Sequence, residues 1–299
     1  MLLLGTAFAL FTGLLWGSVG VVFSKGAGKK YDYVGFMVTS QLINVIFGWI
    51  LIPRYDILLS GKAPQLFQMS AALFLSGIFG AVGMMFMNKG MRMGHHASTW
   101  TIGQSALAIP FLAGVVAWRD SVHLWNVLGV AAILAGIALL GKSKEGRTTI
   151  ATGKKETPWF FIALAALLIL GIQQTLTTIP SRWPGWTDAA RLRVPLAAAG
   201  SLSGYVFFSL LLRRYPDKNT IKYGAVLACV SLPGQLTFFK SLDYFAQASK
   251  AAIAYPVAVG TCIISFALYS ALVIKEPLNR ARVAGMVLGT AGIVFTALK

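Results

Sequence analysis

Long stretches without charge alternate along the chain with short polar connections. Ten such stretches of about 16 to 26 residues lie between successive charged or histidine residues, and roughly 20 residues span the hydrocarbon core of a bilayer. We therefore predict an all-α integral membrane protein with ten transmembrane helices. The stretches cover residues 2–24, 33–53, 63–88, 97–118, 124–141, 157–181, 194–212, 223–239, 251–274 and 283–298.

The distribution of basic residues predicts the orientation of these helices. Of the 26 Lys and Arg residues, 17 lie in the connections that follow odd-numbered helices. Short cytoplasmic loops collect Lys and Arg, so these connections should face the cytoplasm and both termini the outside, in a bacterial inner membrane. The net charge of +17 would indicate nucleic-acid binding in a soluble protein. Here it predicts contacts with anionic lipid head groups and no nucleic-acid partner.

The chain contains an internal repeat. In the first half "GMMFMNKGMRMGHHAS" aligns with "GQLTFFKSLDYFAQAS" in the second half, which pairs Lys89 with Lys240. A polar segment separates the halves, so the predicted organisation is a first five-helix repeat at 1–145, a basic connecting loop at 146–156 and a second five-helix repeat at 157–299. An odd number of helices in each copy inverts the second copy in the membrane. Secondary transporters with inverted repeats bind substrate near the bilayer midplane, between the halves.

Taken together, these features resemble the drug/metabolite transporter superfamily. The first helix contains "LLWGSVG" at residues 14–20, which is similar to a motif of bacterial glucose/ribose-type uptake proteins. The lysine cluster at 25–30 and the basic central loop are similar to those of rhamnose–proton symporters, although "VFSKGAGKK" stands where that group has a proline-lysine-lysine ending. The resemblance implies that helices 1–4 and 6–9 line a central cavity while helices 5 and 10 lie at the periphery. It also implies a sugar or another small polar metabolite as cargo.

The sequence gives little support to an enzyme. Its nine acidic residues and three histidines all lie in connections or at helix ends, without catalytic spacing, and no phosphate-binding P-loop is present. The two cysteines have no metal-ligand spacing. We therefore expect no catalytic residues, no cofactor and no metal site.

Polar side chains within apolar stretches are costly at membrane depth and indicate candidate substrate contacts. Trp100 and Gln104 lie one helical turn apart, and an amide beside an aromatic ring suits a ring of hydroxyls or a flat heterocycle. For each amide the alternative is an interhelical hydrogen bond without a ligand. For each tryptophan it is packing. The predicted substrate-binding residues are Trp16, Asn44, Trp100, Gln104, Gln174, Gln235, Lys240, Lys250 and Tyr255.

The lysines among these candidates have two interpretations. Lys240 and Lys250 lie at the end of the eighth and the start of the ninth stretch. They either anchor the protein at the membrane surface or reach into the cavity, where a cation would hold a carboxylate, sulfonate or phosphate. The second interpretation keeps anionic metabolites open as cargo.

The absence of acidic residues from the apolar stretches bears on whether transport is coupled to protons. Proton-driven carriers place a titratable group at membrane depth, and no Asp or Glu lies inside any of the ten stretches. We therefore predict a facilitator or exchanger. If protons are coupled, the candidate residues are His95, His96 and Asp243.

The leading hypothesis is a secondary transporter that moves a small polar metabolite, sugar-like in kind, by alternating access. A rival is an exporter or exchanger of amino acids or organic anions, and an alternative of another class is a non-transporting membrane receptor or assembly module. We expect a monomer in contact with membrane lipids. Gly285, Gly289 and Gly292 in the last stretch form a small-xxx-small pattern, which predicts intramolecular packing or, alternatively, a dimer contact.

Overall fold

The described part of the chain forms ten helical segments in sequence order, joined where described by short turns and connections. A computed structural model describes residues 2–29, 31–51, 66–119, 123–142, 159–179, 192–247, 254–276 and 279–295. The segments are α1 (Leu2–Gly28), α2 (Tyr33–Ile50), α3 (Leu66–Arg92), α4 (His96–Trp118), α5 (Leu124–Lys142), α6 (Trp159–Thr178), α7 (Arg193–Leu212), α8 (Lys218–Gln247), α9 (Ala254–Tyr269, continued as a π-helix over Ser270–Ile274) and α10 (Arg280–Phe295).

Seven of these helices are long and apolar enough to cross a membrane, counted over the described residues: α1, α2, α3, α4, α6, α7 and α9. The apolar part of α5, Leu124–Leu140, is shorter. As described, α10 has 16 residues. Since α8 begins and ends in polar segments, only its middle is apolar. The structure thus supports a multi-pass membrane protein, while ten complete spans remain a prediction.

Local sequence explains where several helices begin or change their geometry. Asp32 precedes α2 and its carboxylate accepts a hydrogen bond from the Gly35 N–H at 3.1 Å, which caps the helix. Asp217 caps α8 in the same way, and hydrogen bonds from the hydroxyl and N–H of Thr220 hold the pKa of Asp217 below its usual value. In α4 a 3₁₀ turn at Ser105–Leu107 precedes Pro110, whose missing N–H interrupts the α-helical hydrogen-bond pattern there.

Helix packing follows a regular scheme. In the first half, α1 packs against α8 and α9, and α2 packs against α8. The corresponding contacts five helices further on are those of α6 with α3 and α4, and of α7 with α3. Two further pairs, α2 with α7 and α5 with α10, join equivalent helices. The same contacts therefore recur when each helix is replaced by its equivalent in the other half, as expected of two five-helix repeats. The repeat boundaries and the inversion remain predictions, and 146–156 lies outside the described residues.

The described connections after α1, α3, α7 and α9 meet at one end of the bundle, which we call the basic end. There Arg214 pairs with Asp32 at 3.2 Å, and the Arg92 guanidinium donates to the carbonyl oxygen of Tyr31. These contacts bring together the α1–α2, α3–α4 and α7–α8 connections. The Ala97 N–H donates to Glu276 at 2.9 Å, which places the α9–α10 connection at the same end.

The glycines predicted to pack in the last helix lie against α5 of the same chain. A Cβ atom at Gly136 would lie 2.7 Å from the carbonyl oxygen of Gly285, and one at Gly292 would lie 2.6 Å from that of Gly129. The two backbones approach so closely that only hydrogen fits at these positions. The small-xxx-small pattern is therefore used within the chain.

Gly136→Ala should destabilise the protein by about 1–3 kcal/mol, because the added methyl group must displace the backbone of α10. Gly260→Ala is the matched control, since its Cβ would meet Thr290 Cγ2 at an ordinary 3.6 Å. Thermal unfolding of the purified proteins in detergent measures the difference. Equal midpoints for the two variants would contradict the close contact of α5 with α10.

Candidate functional site

A cavity of about 310 Å³ lies among α1, α3, α4, α6, α7, α8 and α9. The family resemblance implied eight lining helices, and α2 contributes no residue to the described lining. As implied, α5 and α10 contribute none and pack mainly against each other. The cavity thus lies between the two predicted halves, beside the middle of α1 and α4.

Four glutamines line this cavity, and three of them were predicted from the sequence: Gln104, Gln174 and Gln235. Among the described residues, no hydrogen bond to another protein group engages their side-chain amides, and Gln174 Oε1 is buried without a donor. The fourth, Gln173, donates to the Thr177 hydroxyl at 3.2 Å. The alternative of interhelical hydrogen bonds thus does not describe these three amides in this conformation.

Aromatic rings form the apolar walls. Trp16 and Trp100, both predicted, line the cavity together with Phe238 and Phe239. The centroids of Trp16 and Phe238 are 4.9 Å apart. Trp16 also lies so close to Gly234 that a Cβ there would be 2.9 Å from the indole. A glycine in α8 therefore allows this tryptophan to lie at the cavity wall.

Buried aromatic side chains form a layer between the cavity and the basic end, which we call the closed layer or aromatic layer. Trp100 belongs both to this layer and to the cavity wall. Its ring lines the cavity, and it packs against Phe23 of α1 at a centroid distance of 6.3 Å and against Phe266 of α9 at 5.3 Å. The Tyr33 and Tyr205 hydroxyls lie 3.1 Å apart in the same layer and join α2 to α7. The layer therefore connects helices of the two predicted halves.

Sequence reasoning missed one charged residue of the site. Arg193, the first residue of α7, lines the cavity, and its Cζ atom lies 5.9 Å from the centre of the Phe239 ring. Among the described lining residues it is the one with a charged side chain. From the sequence, Arg193 was counted among the basic residues of the connection between the sixth and seventh helices. Its neighbours in sequence did not indicate that it faces the cavity.

Two predicted substrate residues lie outside the cavity lining. Asn44 is fully buried between helices and donates to the Ser231 hydroxyl of α8 at 3.2 Å, so for this residue the structure shows the interhelical alternative. Lys240 is exposed, with its Nζ atom 5.7 Å from the centre of the Phe8 ring. Lys250 and the side chain of Tyr255 lie outside the described residues, as does the side chain of Asp243.

A second polar cluster lies at the basic end and involves one of the predicted coupling residues. His95 is buried, stacks on Trp159 at a centroid distance of 4.3 Å, and has its Nδ1 atom 3.3 Å from a guanidinium nitrogen of Arg282. Arg282 in turn pairs with Glu276 at 3.8 Å, with both side chains 2% exposed. His96 is half-buried beside this cluster. The sequence indicated Glu276 only as a connection residue, whereas the structure buries it.

Comparisons with known proteins agree with a membrane transporter. Residues 3–142 match the model of the EamA-like transporter family, which belongs to the drug/metabolite transporter superfamily. The whole fold is similar to that of a protein of known crystal structure, with a TM-score of 0.59 and 14% sequence identity over 98% of each chain. No curated protein matches the chain. The matched family description names no substrate, so the likeness to sugar-uptake groups remains a prediction.

Gln104→Ala should leave the free energy of unfolding nearly unchanged, because its amide makes no hydrogen bond to another described residue. Asn44→Ala should lower it by about 1 kcal/mol through the lost bond to Ser231. Thermal unfolding in detergent compares the two variants. If Gln104→Ala proves the more destabilising, Gln104 belongs to helix packing rather than to the cavity surface.

Proposed function

We propose that this protein is a secondary transporter that moves a small polar solute by alternating access through the cavity between its two halves. The observation that carries the proposal is the set of uncommitted amides at Gln104, Gln174 and Gln235 inside membrane-length helices. Polar groups without partners in such helices cost free energy, and a bound solute offsets that cost. The match of residues 3–142 to a transporter family supports the same function.

The lining also favours a solute with both polar and apolar parts. The amides offer donors and acceptors, while Trp16 and Trp100 offer flat apolar surfaces. A sugar-like metabolite, the cargo expected from the sequence, satisfies this description because its hydroxyls bind amides and its C–H faces stack on aromatic rings. The volume of about 310 Å³ lies at the lower end of the range for small-molecule sites.

Alternating access requires a closed end that can open, and the basic end supplies it. Contacts there and in the adjoining aromatic layer join the predicted halves: Asp32 with Arg214 and Ala97 with Glu276 at the basic end, and Tyr33 with Tyr205 in the layer. Hydroxyl pairs and single ion pairs are weak enough to break and reform during a transport cycle. In the proposed alternate state these contacts separate and the cavity opens toward the predicted cytoplasm.

The energy source is proposed from the same features. Asp and Glu are absent from the described cavity lining, which supports the prediction of a facilitator or exchanger. His95, His96 and Asp243 remain the candidate coupling residues if protons are carried, and Glu276 joins them through its contact with Arg282. A receptor or assembly module, the alternative from another class, would bind solute without moving it.

Purified protein in liposomes should catalyse saturable uptake of at least one solute from a panel of glucose, phenylalanine and mandelate. Gln104→Ala should weaken the affinity for that solute by about 1–3 kcal/mol, since it removes a buried polar contact. Radiolabelled uptake measures both effects. Binding without uptake would favour the receptor alternative, and an absence of both for every solute would contradict the proposed function.

The same liposomes test the coupling prediction with an internal pH indicator. A facilitator or exchanger should move the solute without acidification of the lumen when no gradient is imposed. Proton influx in fixed proportion to solute would show this prediction to be wrong. Its loss in His96→Ala or Asp243→Asn would then identify the coupling residue.

The closed layer can be tested through Cys262, whose Sγ atom accepts a hydrogen bond from Trp100 Nε1 at 3.3 Å. Cys262 is fully buried and Cys229 is exposed, so Cys229→Ser leaves one buried thiol. Trp100→Ala should open a path past Phe266 and make Cys262 reactive toward N-ethylmaleimide at least about tenfold faster, because the indole that covers it is gone. Mass spectrometry of the labelled protein measures the rate.

A cysteine at Ala163 of α6 serves as the matched control for general loosening. Ala163 is fully buried in the same core as Trp100 but outside the aromatic layer. In a background without the native cysteines, Ala163→Cys should stay unlabelled with and without Trp100→Ala. Equal acceleration at both positions would show that Trp100 holds the whole fold rather than the closed layer.

A further inference from the structure

We propose that the cavity takes a two-part solute of the nucleoside class, in which a lactam-bearing heterocycle lies beside Trp16 and pairs with Gln104, while a hydroxyl-bearing unit reaches Gln174. The inference rests on the proposed transport function and names the substrate class of that same cavity. It keeps the hydroxyls of the sugar-like cargo expected from the sequence and adds a flat ring to them. It assigns no contact to Arg193, whose guanidinium lies over the Phe239 ring.

The relative direction of α4 and α6 sets the depth of their glutamines. His95, which precedes α4, stacks on Trp159 at the start of α6. Farther along both helices, a Cβ at Gly171 of α6 would lie 2.1 Å from Ile109 Cδ1 of α4. The two helices therefore run in the same direction, away from the basic end.

Gln104 and Gln174 lie on opposite sides of the contact between Ile109 and Gly171. Gln104 precedes Ile109 by five residues, and Gln174 follows Gly171 by three. At about 1.5 Å of helix rise per residue, the two glutamines are about 12 Å apart along the bundle. A solute that binds both is therefore longer than a single ring, and its two ends meet different surroundings.

The surroundings nearer the basic end are aromatic. Trp100 Nε1 donates to Cys262 Sγ at 3.3 Å, and a Cβ at Gly17, the residue after Trp16, would lie 3.4 Å from the Cys262 carbonyl oxygen. The two tryptophans therefore lie at a similar depth. Gln104 follows Trp100 by one helical turn and lies on the same face of α4. This part of the cavity thus combines indole surfaces with a carboxamide.

The Gln104 amide favours a lactam over a ring of hydroxyls. A carboxamide carries an acceptor and donors side by side, and a lactam offers the complementary N–H and C=O on one edge of a flat ring. The two faces of that ring stay apolar and stack on aromatic side chains, as nucleobases do. A hexose carries hydroxyls around its whole edge, whereas most described lining residues are apolar and would leave some of those hydroxyls without partners.

The surroundings of Gln174 require a donor at the other end of the solute. Its Oε1 atom is buried and no described group donates to it. The neighbouring polar groups of α6 are occupied by each other, since Gln173 Nε2 donates to the Thr177 hydroxyl at 3.2 Å and that hydroxyl donates to the Gln173 carbonyl oxygen at 2.8 Å. A hydroxyl of the solute would supply the missing donor.

A heterocycle linked to a hydroxylated ring is the composition of a nucleoside. The cavity volume of about 310 Å³ admits a molecule of this size. Inosine combines a lactam edge, two flat apolar faces and a ribose with three hydroxyls. We use it as a probe of the class, not as the identified cargo.

Binding is measured on the purified full-length protein in detergent with tritiated inosine and two competitors that each lack one feature. In 1-methylinosine a methyl group replaces the lactam hydrogen, and in 9-methylhypoxanthine a methyl group replaces the ribose. Wild type should bind inosine about tenfold more tightly than either competitor, because each competitor leaves a buried polar group without its hydrogen bond.

Two substitutions separate the proposed contacts. Gln104→Ala should abolish the preference over 1-methylinosine and keep the preference over 9-methylhypoxanthine, and Gln174→Ala should do the reverse. Gln68→Ala, which removes an exposed glutamine of α3 outside the described lining, is the matched control and should behave as wild type. Because each preference is a ratio of affinities within one variant, a smaller folded fraction does not change it.

The stacked position of the heterocycle has its own test. Trp16→Leu should weaken the binding of inosine and of 9-methylhypoxanthine about tenfold each, because stacking of the base on the indole is lost. Trp16→Phe, which keeps a ring, should lose less. Unchanged inosine affinity in Trp16→Leu would overturn the inference.

The remaining outcomes distinguish the inference from the transport function. Equal binding of inosine and either competitor by wild type, a preference that survives in its own glutamine variant, or no binding of inosine would each overturn the inference. Inosine also joins the liposome panel. Uptake of glucose, phenylalanine or mandelate without inosine binding would leave the transport function standing, whereas selective inosine binding without uptake would support the site and favour the receptor alternative.

Discussion

Polar groups inside apolar helices must find partners, and most of the structure can be understood from how each one does. Asn44 finds Ser231 across a helix contact, and Thr237 binds the Pro233 carbonyl of its own helix. The amides of Gln104, Gln174 and Gln235 do neither among the described residues. Other buried polar atoms, such as Ser40 Oγ and Asn88 Nδ2, also lack a partner among the described residues. The three amides differ because they line one cavity, where a solute can complete their hydrogen bonds.

The helices could be predicted from the sequence because uncharged runs between charged residues are a one-dimensional signal. The amides Gln104 and Gln174 could also be predicted, since polar residues within such runs are few. The sequence did not distinguish them from Asn44, because composition does not show which face of a helix meets a cavity. Arg193 and Glu276 were missed for another reason: residues near helix ends were interpreted as surface charge, whereas the chain turns both inward.

The packing scheme gives the two predicted repeats a mechanical meaning. Since α1 packs with α8 and α9, and α6 with α3 and α4, each tight group contains helices of both halves. Glycines bring some of these helices into close contact: a Cβ at Gly13 of α1 would lie 2.5 Å from the carbonyl oxygen of Ala258 in α9. Contacts that close tend to move as one body. Side-chain contacts such as Tyr33 with Tyr205 are the ones that can part without a change in helix packing.

Trp100 links the solute to that movement. Its ring forms part of the cavity surface, and the same ring packs on Phe266 and donates to Cys262 in the closed layer. A solute that contacts the indole therefore changes the surroundings of the closed layer directly, without a long chain of intermediate residues. A ligand shifts a conformational equilibrium only by its difference in affinity for the two states. Placing one tryptophan in both the binding surface and the closure is the simplest way for this chain to create that difference.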